Sequence, residues 1–347
     1  MRRFQIGPRC VTQDSRPFVI AELGTNHGGD VKVAHQMVDA AARAGVDAIK
    51  LQKRTNKKIF TRELYEAPYQ SEAAFGATYG AHREALELDL GAFVEIEEHA
   101  GERGLAFIAT AFDPDAVDFC MQVGVDALKI ASGDATNTPL IKYAGQFVPL
   151  IVSLGGVNWA HVDMLHDFML DETKYDFAFL QCTASYPVQA GDLRLPVVAR
   201  MLERYSDTIV GLSDHYSGIF PGVLAYGLGG RIFEKHMTLD RSMRGTDHAF
   251  SMEPHGMAEY VSHLKAAYEA MQSDVKEPLE CERKPLRKMG KKLVAARALS
   301  SGITLAAGDI AIKSPNDGMP PYLLDEAVGK YLTEPLEEDQ NIEEGWE

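Results

Sequence analysis

The sequence predicts an α/β protein in which a (β/α)8 (TIM) barrel is followed by a small C-terminal β domain. Short apolar or β-branched runs alternate with amphipathic stretches of helical periodicity, which is the pattern of a parallel sheet. Eight such units span about 250 residues, the size that a (β/α)8 barrel requires. No GxGxxG follows the first run, which disfavours an open doubly wound sheet.

The strands and helices of the predicted barrel follow from these periodicities. Helical spacing of apolar residues predicts helices over Asp30 to Ala44, Asp115 to Val123 and Met257 to Met271. The segment from Arg54 to Leu90 is long for a loop and rich in aromatic residues, which is typical of a lid or a binding loop. The predicted strands are Phe18 to Leu23, Ala48 to Lys53, Ala106 to Ala111, Ala127 to Ser132, Pro149 to Leu154, Phe177 to Thr183, Ile209 to His215 and Arg231 to Thr238.

The predicted domain boundaries come from composition. The charged stretch 274–291 reads as a linker, so the barrel domain is predicted to span 1–273 and the second domain 292–347. A domain as small as the second is marginally stable alone. We therefore expect it to dock on another surface, such as a partner chain.

Composition also excludes several functional classes. The formal net charge of −15 argues against nucleic acid or an anionic membrane as a partner, because both bind clustered Lys and Arg. No run approaches the roughly 20 apolar residues of a membrane helix, and the chain start lacks the apolar core of a secretory signal. We expect a cytoplasmic protein. The four cysteines form no CxxC pair, and Cys182 is expected to be a buried thiol.

The strand ends are unusually polar. In a (β/α)8 barrel the functional residues come from the C-terminal ends of the strands and the loops that follow them. Alternation with period two places Lys50 with Gln52, and Glu234 with His236, on single faces of their strands. The polar residues at these ends are Glu22, Lys50, Gln52, Thr110, Lys129, Ser132, Asp134, Thr183, Ser213, His215, Glu234 and His236.

Two histidines are candidate metal ligands. His215 and His236 end strands seven and eight, which are neighbours in the barrel, so both imidazoles can reach one point above its mouth. Two neutral imidazoles there could bind a divalent metal and leave positions open for water and substrate. Asp214 and Asp247 lie nearby in the sequence. The alternative is that each histidine is a hydrogen-bonded structural residue.

Two lysines stand in otherwise apolar strands. A charge on Lys50 or Lys129 is costly there unless it meets an anion, and a phosphate or carboxylate ligand would supply one. The alternatives are a Schiff-base lysine or structural ion pairs with Glu22 or Glu234. Hydroxyl donors for the same anion are available at three further strand ends: Thr110, Ser132 and Ser213.

A family resemblance is carried by motifs that run in order along most of the chain. The motifs are Ile20-Ala-Glu-Leu-Gly-Thr-Asn-His27, Ala48-Ile-Lys-Leu-Gln52, Lys129-Ile-Ala-Ser-Gly-Asp134, Leu180 to Pro187, Gly211-Leu-Ser-Asp-His215, and Glu234 to Asp240 with Gly245-Thr-Asp-His248. They resemble the sialic acid synthases, which condense phosphoenolpyruvate with N-acetylmannosamine or its 6-phosphate. Leu293 to Arg297, Gly302 to Leu305 and Val328 to Lys330 resemble the antifreeze-like (SAF, β-clip) domain of that family.

The resemblance implies roles for the candidate residues. A divalent metal, Mn²⁺ with Mg²⁺ or Co²⁺ as alternatives, would bind His215 and His236. Phosphoenolpyruvate would be held by Lys50, Thr110, Lys129, Ser132 and Ser213. The sugar or its reacting carbon would face Glu22, Gln52, Asp134, Tyr186 and Asp247, with Glu22 or Asp134 as acid or base. The resemblance also implies a domain-swapped homodimer in which each antifreeze-like domain covers the barrel mouth of its partner.

The chain departs from the family pattern at two positions, and other functions stay open. Bacterial members usually carry an Arg in the antifreeze-like domain where this chain reads Ile312-Lys-Ser314. Ala184 stands where Asn or Ser is common, so that one phosphate contact is either missing or supplied by Ser185. The nearest alternative is the same chemistry on a diacetamido-hexose, giving legionaminic or pseudaminic acid. More remote alternatives are a Schiff-base pyruvate aldolase and a non-catalytic sugar-binding protein.

Overall fold

The computed structural model describes residues 2–342. The chain divides into two compact units, Met1–Gln272 and Ser273–Glu347. Residue 1 of the predicted barrel domain and residues 343–347 of the predicted second domain lie outside the described residues. No helix between residues 2 and 342 is long and apolar enough to cross a membrane.

The first unit contains a closed barrel of parallel strands in the order β10-β3-β4-β5-β6-β7-β8-β9. The predicted (β/α)8 fold is therefore confirmed, and each of the eight strands overlaps a predicted run. The strands of the chain are β1 Arg3–Ile6, β2 Arg9–Thr12, β3 Phe18–Gly24, β4 Ala48–Lys53, β5 Ala106–Ala111, β6 Ala127–Ile130, β7 Leu150–Ser153, β8 Phe177–Cys182, β9 Ile209–Asp214, β10 Ile232–His236, β11 Lys292–Ala295 and β12 Ile310–Lys313.

The helices begin at residues suited to cap them. Asp30 and Asp113 accept hydrogen bonds from backbone N–H groups of the first turns of α1 and α6, and Pro114 opens α6. The helices are α1 Val31–Ala44, α2 Asn56–Ile59, α3 Arg62–Glu66, α4 Tyr79–Glu84, α5 Leu90–Glu102, α6 Pro114–Val123, α7 Thr138–Ala144, α8 Trp159–Glu172, α9 Pro196–Arg204, α10 Phe220–Gly227, α11 Pro254–Ala270, α12 Arg283–Met289 and α13 Leu324–Ala327.

The interior of the barrel changes from apolar to polar along the strands. Side chains of a strand point to opposite faces in turn, so every second residue faces the interior. The first inward positions form an apolar cluster that includes Phe18, Ile20, Ala48, Ile108, Ile151, Leu180 and Ile232. The last inward positions are polar and line a cavity at the C-terminal ends of the strands: Glu22, Lys50, Gln52, Thr110, Lys129, Ser153, Ser213, Glu234 and His236.

A hairpin that the sequence analysis did not anticipate closes the other end of the barrel. β1 and β2 pair antiparallel. Their side chains Phe4, Ile6 and Val11 are buried in the same apolar cluster as the first inward layer. The polar end is therefore the open end, which is where (β/α)8 barrels carry their functional residues.

The segment from Arg54 to Leu90 is ordered by short helices and by its own aromatic side chains. α2, α3 and α4 lie within it. The ring of Tyr79 packs edge-on against Phe60 and Tyr69, with centroids 5.0 and 5.5 Å apart, and Tyr69 stacks on buried His82 at 4.7 Å. These contacts fix α4 and the residues it carries.

The second unit has a small core of its own. β11 and β12 pair antiparallel, and the buried side chains around them include Leu293, Leu305 and Ile310. Part of the predicted linker is helical, since α12 occupies 283–289.

Candidate active site

A cavity of about 570 Å³ opens at the C-terminal ends of the barrel strands. This volume is typical of sites for small-molecule substrates. It brings together all of the predicted site residues except Asp134: Glu22, Lys50, Gln52, Thr110, Lys129, Ser132, Tyr186, Ser213, His215, His236 and Asp247.

The floor of this cavity is a network of buried charges. Lys50 Nζ lies 2.7 Å from Glu22 Oε2 and 3.8 Å from Glu234 Oε2. Lys129 Nζ lies 4.0 Å from the same oxygen of Glu234 and donates a hydrogen bond to the Ile130 carbonyl at 3.0 Å. The two lysines are thus balanced by two carboxylates, which is the ion-pair arrangement that the sequence left open as an alternative.

Burial and pairing oppose each other at these groups. Burial alone would raise the pKa of Glu234, but the charges of Lys129 and Lys50 and a hydrogen bond from Ser213 bring it below its ordinary value. Burial lowers the pKa of Lys129, while Glu234 acts in the opposite direction. Removing either partner would leave an uncompensated charge in the interior.

Hydroxyl groups line the floor beside the lysines. Lys50 Nζ donates to Thr110 Oγ1 at 2.7 Å, and Ser213 Oγ donates to Glu234 Oε1 at 2.9 Å. Ser132 Oγ accepts from the Gly155 N–H at 3.0 Å. Ser153, at the end of β7, is buried and lines the cavity, and its Oγ has no hydrogen-bond partner among the described residues.

The two histidines lie side by side at the mouth of the barrel. Their ring centroids are 5.3 Å apart. His215 Nδ1 donates to the Thr183 carbonyl at 3.0 Å, which assigns its proton and leaves Nε2 free to bind a metal. Burial and the nearby His236 lower the pKa of His215 to about 3, so it is neutral. His236 Nδ1 is buried, has no hydrogen-bond partner among residues 2–342, and lies 4.0 Å from Asp247 Oδ2.

Aromatic rings enclose the histidines. Tyr186, which is 56% exposed, places its ring 4.2 Å from that of His215. Phe250 is buried and lies 5.0 Å from the ring of His236 and 5.5 Å from that of Tyr186. Phe250 escaped the sequence analysis because it lies in a short 3-10 turn rather than at a strand end.

Several residues lie elsewhere than the sequence suggested. β6 ends at Ile130, and the 3-10 turn that follows directs Asp134 to the side-chain amide of Asn137, which donates to it at 3.0 Å. Ser185 is exposed and donates to the Pro187 carbonyl, so it does not replace a hydroxyl at Ala184. Asp214 points away from the cavity and pairs with Lys235 at 2.7 Å. Burial raises the pKa of the Cys182 thiol, which opposes a nucleophilic role.

One wall of the cavity is formed by the segment 54–90, which the sequence predicts to be a lid or binding loop without identifying Arg54 or Arg83 as site residues. Gln52 connects it to the floor, since its Nε2 donates to Glu22 Oε1 and its Oε1 accepts from Arg54, both at 2.5 Å. The guanidinium of Arg54 stacks on the Phe112 ring, 3.9 Å from its centroid. Arg83, on α4, donates from Nε to the Tyr79 hydroxyl at 3.1 Å.

The chain resembles known proteins along most of its length. It matches the NeuB family over residues 37–276 and the SAF domain over residues 292–343. The chain belongs to the NeuB family. It is 35% identical to the N-acetylneuraminate-9-phosphate synthase of Homo sapiens over 329 residues. The aligned region covers 94% of this chain and 91% of the human protein.

Other proteins similar to this NeuB-family chain are named for two different sugar acids. It is 30% identical over 333 residues to the N,N'-diacetyllegionaminic acid synthase of Campylobacter jejuni, covering 95% of this chain and 99% of the relative. The solved structure of the N-acetylneuraminic acid (sialic acid) synthetase of Leptospira borgpetersenii is similar to this one, with a TM-score of 0.71 and 28% sequence identity. The match covers 82% of this chain and 95% of the Leptospira chain. The family resemblance inferred from the motifs is confirmed.

The family defines the reaction class. NeuB-family synthases condense phosphoenolpyruvate with an amino sugar, and they are typically dependent on a divalent metal. The second unit of this chain matches the SAF domain, as predicted.

Proposed function

We propose that this protein condenses phosphoenolpyruvate with N-acetylmannosamine or its 6-phosphate to give N-acetylneuraminate or its 9-phosphate. The observation that carries this proposal is the buried floor, where two lysines and several hydroxyls converge beside the histidine pair His215 and His236. This set fits an anion beside a site where His215 and His236 would hold a divalent metal.

The floor residues support the binding of phosphoenolpyruvate. Lys50, Lys129, Thr110 and Ser213 would donate to its phosphate and carboxylate, and the unpartnered Ser153 hydroxyl would add a donor where Ala184 lacks one. The carboxylates of Glu22 and Glu234 hold both lysines in place.

The histidines fit a divalent metal. Residues 2–342 contain no cluster of three or more His, Cys, Asp or Glu side chains that could hold a metal, so the protein would supply His215 and His236 and leave the remaining positions to water and substrate. The buried, unpartnered Nδ1 of His236 and the fixed tautomer of His215 support this assignment. The chemistry that such an ion, Mn²⁺ in our proposal, supplies is Lewis-acid polarisation of the sugar aldehyde oxygen.

The remaining steps rely on the protein's own groups. The C2=C3 π electrons of phosphoenolpyruvate form the bond to C1 of the open-chain sugar, the aldehyde π electrons move to the aldehyde oxygen, and water adds to the cationic C2. Glu22, held by Lys50 and Gln52, would take one proton of that water and return it to the aldehyde oxygen, which becomes a hydroxyl. Collapse of the tetrahedral C2 breaks its bond to the phosphate oxygen, and phosphate leaves with the second proton while the lysines offset its charge. Asp134 was a second candidate for this acid–base role, and its contact with Asn137 favours Glu22.

The proposal is tested by phosphate release from phosphoenolpyruvate with Mn²⁺, with and without chelator. The sugars to compare are N-acetylmannosamine, its 6-phosphate and diacetamido-hexoses, since relatives of both kinds share 30–35% identity. We expect release that the chelator abolishes. His236→Ala should lower the rate more than about a hundredfold, whereas His255→Ala, at an exposed residue of α11, should not.

Two outcomes would redirect the assignment. Covalent trapping of pyruvate by borohydride, with no effect of chelator, would favour the Schiff-base aldolase, for which Lys129 is the candidate because burial lowers its pKa. Absence of release with every sugar, in folded protein, would favour a non-catalytic sugar-binding protein. The domain-swapped homodimer stays a prediction from the family, and the molar mass in solution tests its stoichiometry.

A further inference from the structure

The cationic residues of the cavity fall into two sets with different partners. Lys50 and Lys129 in the floor are matched by Glu22 and Glu234. The other two cations that line the cavity belong to the wall formed by the segment 54–90: Arg54 and Arg83. No described carboxylate forms an ion pair with either guanidinium, although each is half-buried.

Most donors of these two arginines are uncommitted. A guanidinium has five N–H donors in one plane. Within residues 2–342, the Arg54 side chain donates to Gln52 and stacks its face on Phe112, and the Arg83 side chain donates to the Tyr79 hydroxyl. Stacking and the tyrosine contact fix both groups without neutralising them. The remaining in-plane N–H groups match the oxygens of a phosphate.

The two positive charges also act on each other. Burial and the field of Arg83 lower the pKa of Arg54 to about 10, so it is still charged at neutral pH. Asp247 and Glu87 act in the opposite direction and more weakly. Two like charges held near one another in a half-buried wall are relieved by an anion that contacts both.

We propose that Arg54 and Arg83 bind the phosphate of a phosphorylated amino sugar, so that the substrate class of this enzyme is an N-acyl hexosamine 6-phosphate. This inference rests on the proposed condensation with phosphoenolpyruvate.

The sugar phosphate is favoured over phosphoenolpyruvate as the occupant because of where the arginines lie. The hydroxyls and lysines suited to phosphoenolpyruvate come from the barrel strands. By contrast, Arg54 directly follows β4, and Arg83 lies on α4. Arg54 is linked through Gln52 to Glu22 at the reacting centre. A sugar whose aldehyde lies at the histidines carries its phosphate at the far end of the open chain, away from the floor.

The main variant for the test is Arg83→Gln, because Arg54 also holds Gln52. Initial rates of phosphate release are measured against phosphoenolpyruvate, N-acetylmannosamine and N-acetylmannosamine 6-phosphate. We expect the wild type to prefer the phosphorylated sugar by about tenfold or more in kcat/KM. Arg83→Gln should raise KM for that sugar roughly 10- to 100-fold, because charge-assisted hydrogen bonds are lost, and should change KM for phosphoenolpyruvate and kcat/KM for the free sugar less than about twofold.

Two matched substitutions complete the test. Arg83→Lys keeps the charge but not the fork of donors, so its KM should lie between those of the wild type and Arg83→Gln. Arg62→Gln removes the same charge from an exposed position of α3 in the same segment and should have no effect. Thermal unfolding of each variant, and titration calorimetry with N-acetylmannosamine 6-phosphate, separate a binding defect from misfolding.

The outcomes distinguish this inference from the function on which it rests. A rise in KM for phosphoenolpyruvate in Arg83→Gln would assign the arginines to that substrate. Equal kcat/KM values of the wild type for the free and the phosphorylated sugar would show that Arg54 and Arg83 do not bind the sugar phosphate. Either result overturns the inference and leaves the condensation intact. No release with any sugar would overturn the proposed function, and the inference with it.

Discussion

The floor and the wall of the cavity are built on different principles. The floor consists of strand residues that are almost fully buried and balanced in charge, such as Lys50, Lys129 and Glu234. The wall consists of loop and short-helix residues that are half-exposed and carry positive charge with which no described carboxylate forms an ion pair: Arg54 and Arg83. A buried, balanced network tolerates little change, whereas a loop-borne wall can change without disturbing the core. We infer that the floor determines the reaction and the wall the sugar.

The largest effect should come from breaking the balance of the floor. Glu234→Gln keeps an acceptor for Ser213 but leaves Lys50 and Lys129 with one carboxylate between them. We expect the free energy of unfolding to fall by about 3–5 kcal/mol, as for other broken buried pairs. Denaturant unfolding measures this change.

The control for that experiment is Glu203→Gln, because Glu203 is 66% exposed on α9 and pairs with a neighbouring arginine on the surface. Its cost should stay below about 0.5 kcal/mol. An equal free energy of unfolding in the two variants would show that the ion pairs of the floor do not stabilise the fold. The floor would then not differ from the wall in its tolerance of charge changes.

A second prediction concerns pH and a buried histidine that follows β3. Burial lowers the pKa of His27 to about 4. Between this value and the ordinary pKa of about 6.5, the unfolded chain binds a proton that the folded protein does not. The contribution of His27 to the free energy of unfolding should therefore fall as pH falls through this window, by about 3 kcal/mol.

The matched variants separate His27 from other titrating groups. His27→Asn keeps an acceptor for the Gly29 N–H, which donates to His27 Nδ1 at 3.0 Å, and should reduce the dependence on pH. His255→Asn, at an exposed residue of α11, should leave it unchanged. An unaltered dependence in His27→Asn would mean that His27 is protonated in the folded protein.

The contrast between floor and wall also explains what the sequence could predict. Period-two alternation and the polarity of barrel strand ends suffice to find Lys50, Lys129, Glu234 and both histidines, because strand geometry fixes where those side chains point. The same rule could have found Ser153, which occupies the last inward position of β7. It failed for Asp134, because the strand ends at Ile130 and a turn intervenes.

The wall was not predictable by such a rule. The sequence analysis identified the segment 54–90 as a lid or binding loop from its length and aromatic content. The orientation of Arg83 depends on α4, which has six residues and is held by ring contacts between Tyr79, Phe60 and Tyr69. Contacts of this kind depend on the path of the loop, which local periodicity does not encode.

A third prediction tests the floor without disturbing its charges. Ser153→Ala removes a buried hydroxyl that has no partner among the described residues, so the free energy of unfolding should not fall. If this hydroxyl binds phosphoenolpyruvate, KM for that substrate should rise about five- to tenfold, while KM for the sugar stays constant. Ser206→Ala, at an exposed position, is the control. An unchanged KM for phosphoenolpyruvate would exclude Ser153 from its site.

The smallest effect is expected in the wall, from a change that leaves its charge intact. Tyr79→Phe keeps the ring against Phe60 but removes the hydroxyl that accepts from Arg83. One neutral acceptor for a charged donor is lost while the guanidinium stays, so KM for the phosphorylated sugar should rise only about two- to fivefold.

The control for this change lies in the same segment. Tyr65→Phe removes a hydroxyl that donates to Glu84 at 3.1 Å on the exposed side of α4, and should not affect KM for either substrate. A response of the phosphorylated sugar to Tyr79→Phe but not to Tyr65→Phe, with phosphoenolpyruvate unaffected by both, would mean that the orientation of Arg83, beyond its charge, contributes to sugar selection. Equal responses to the two variants would instead assign the effect to general loosening of the segment.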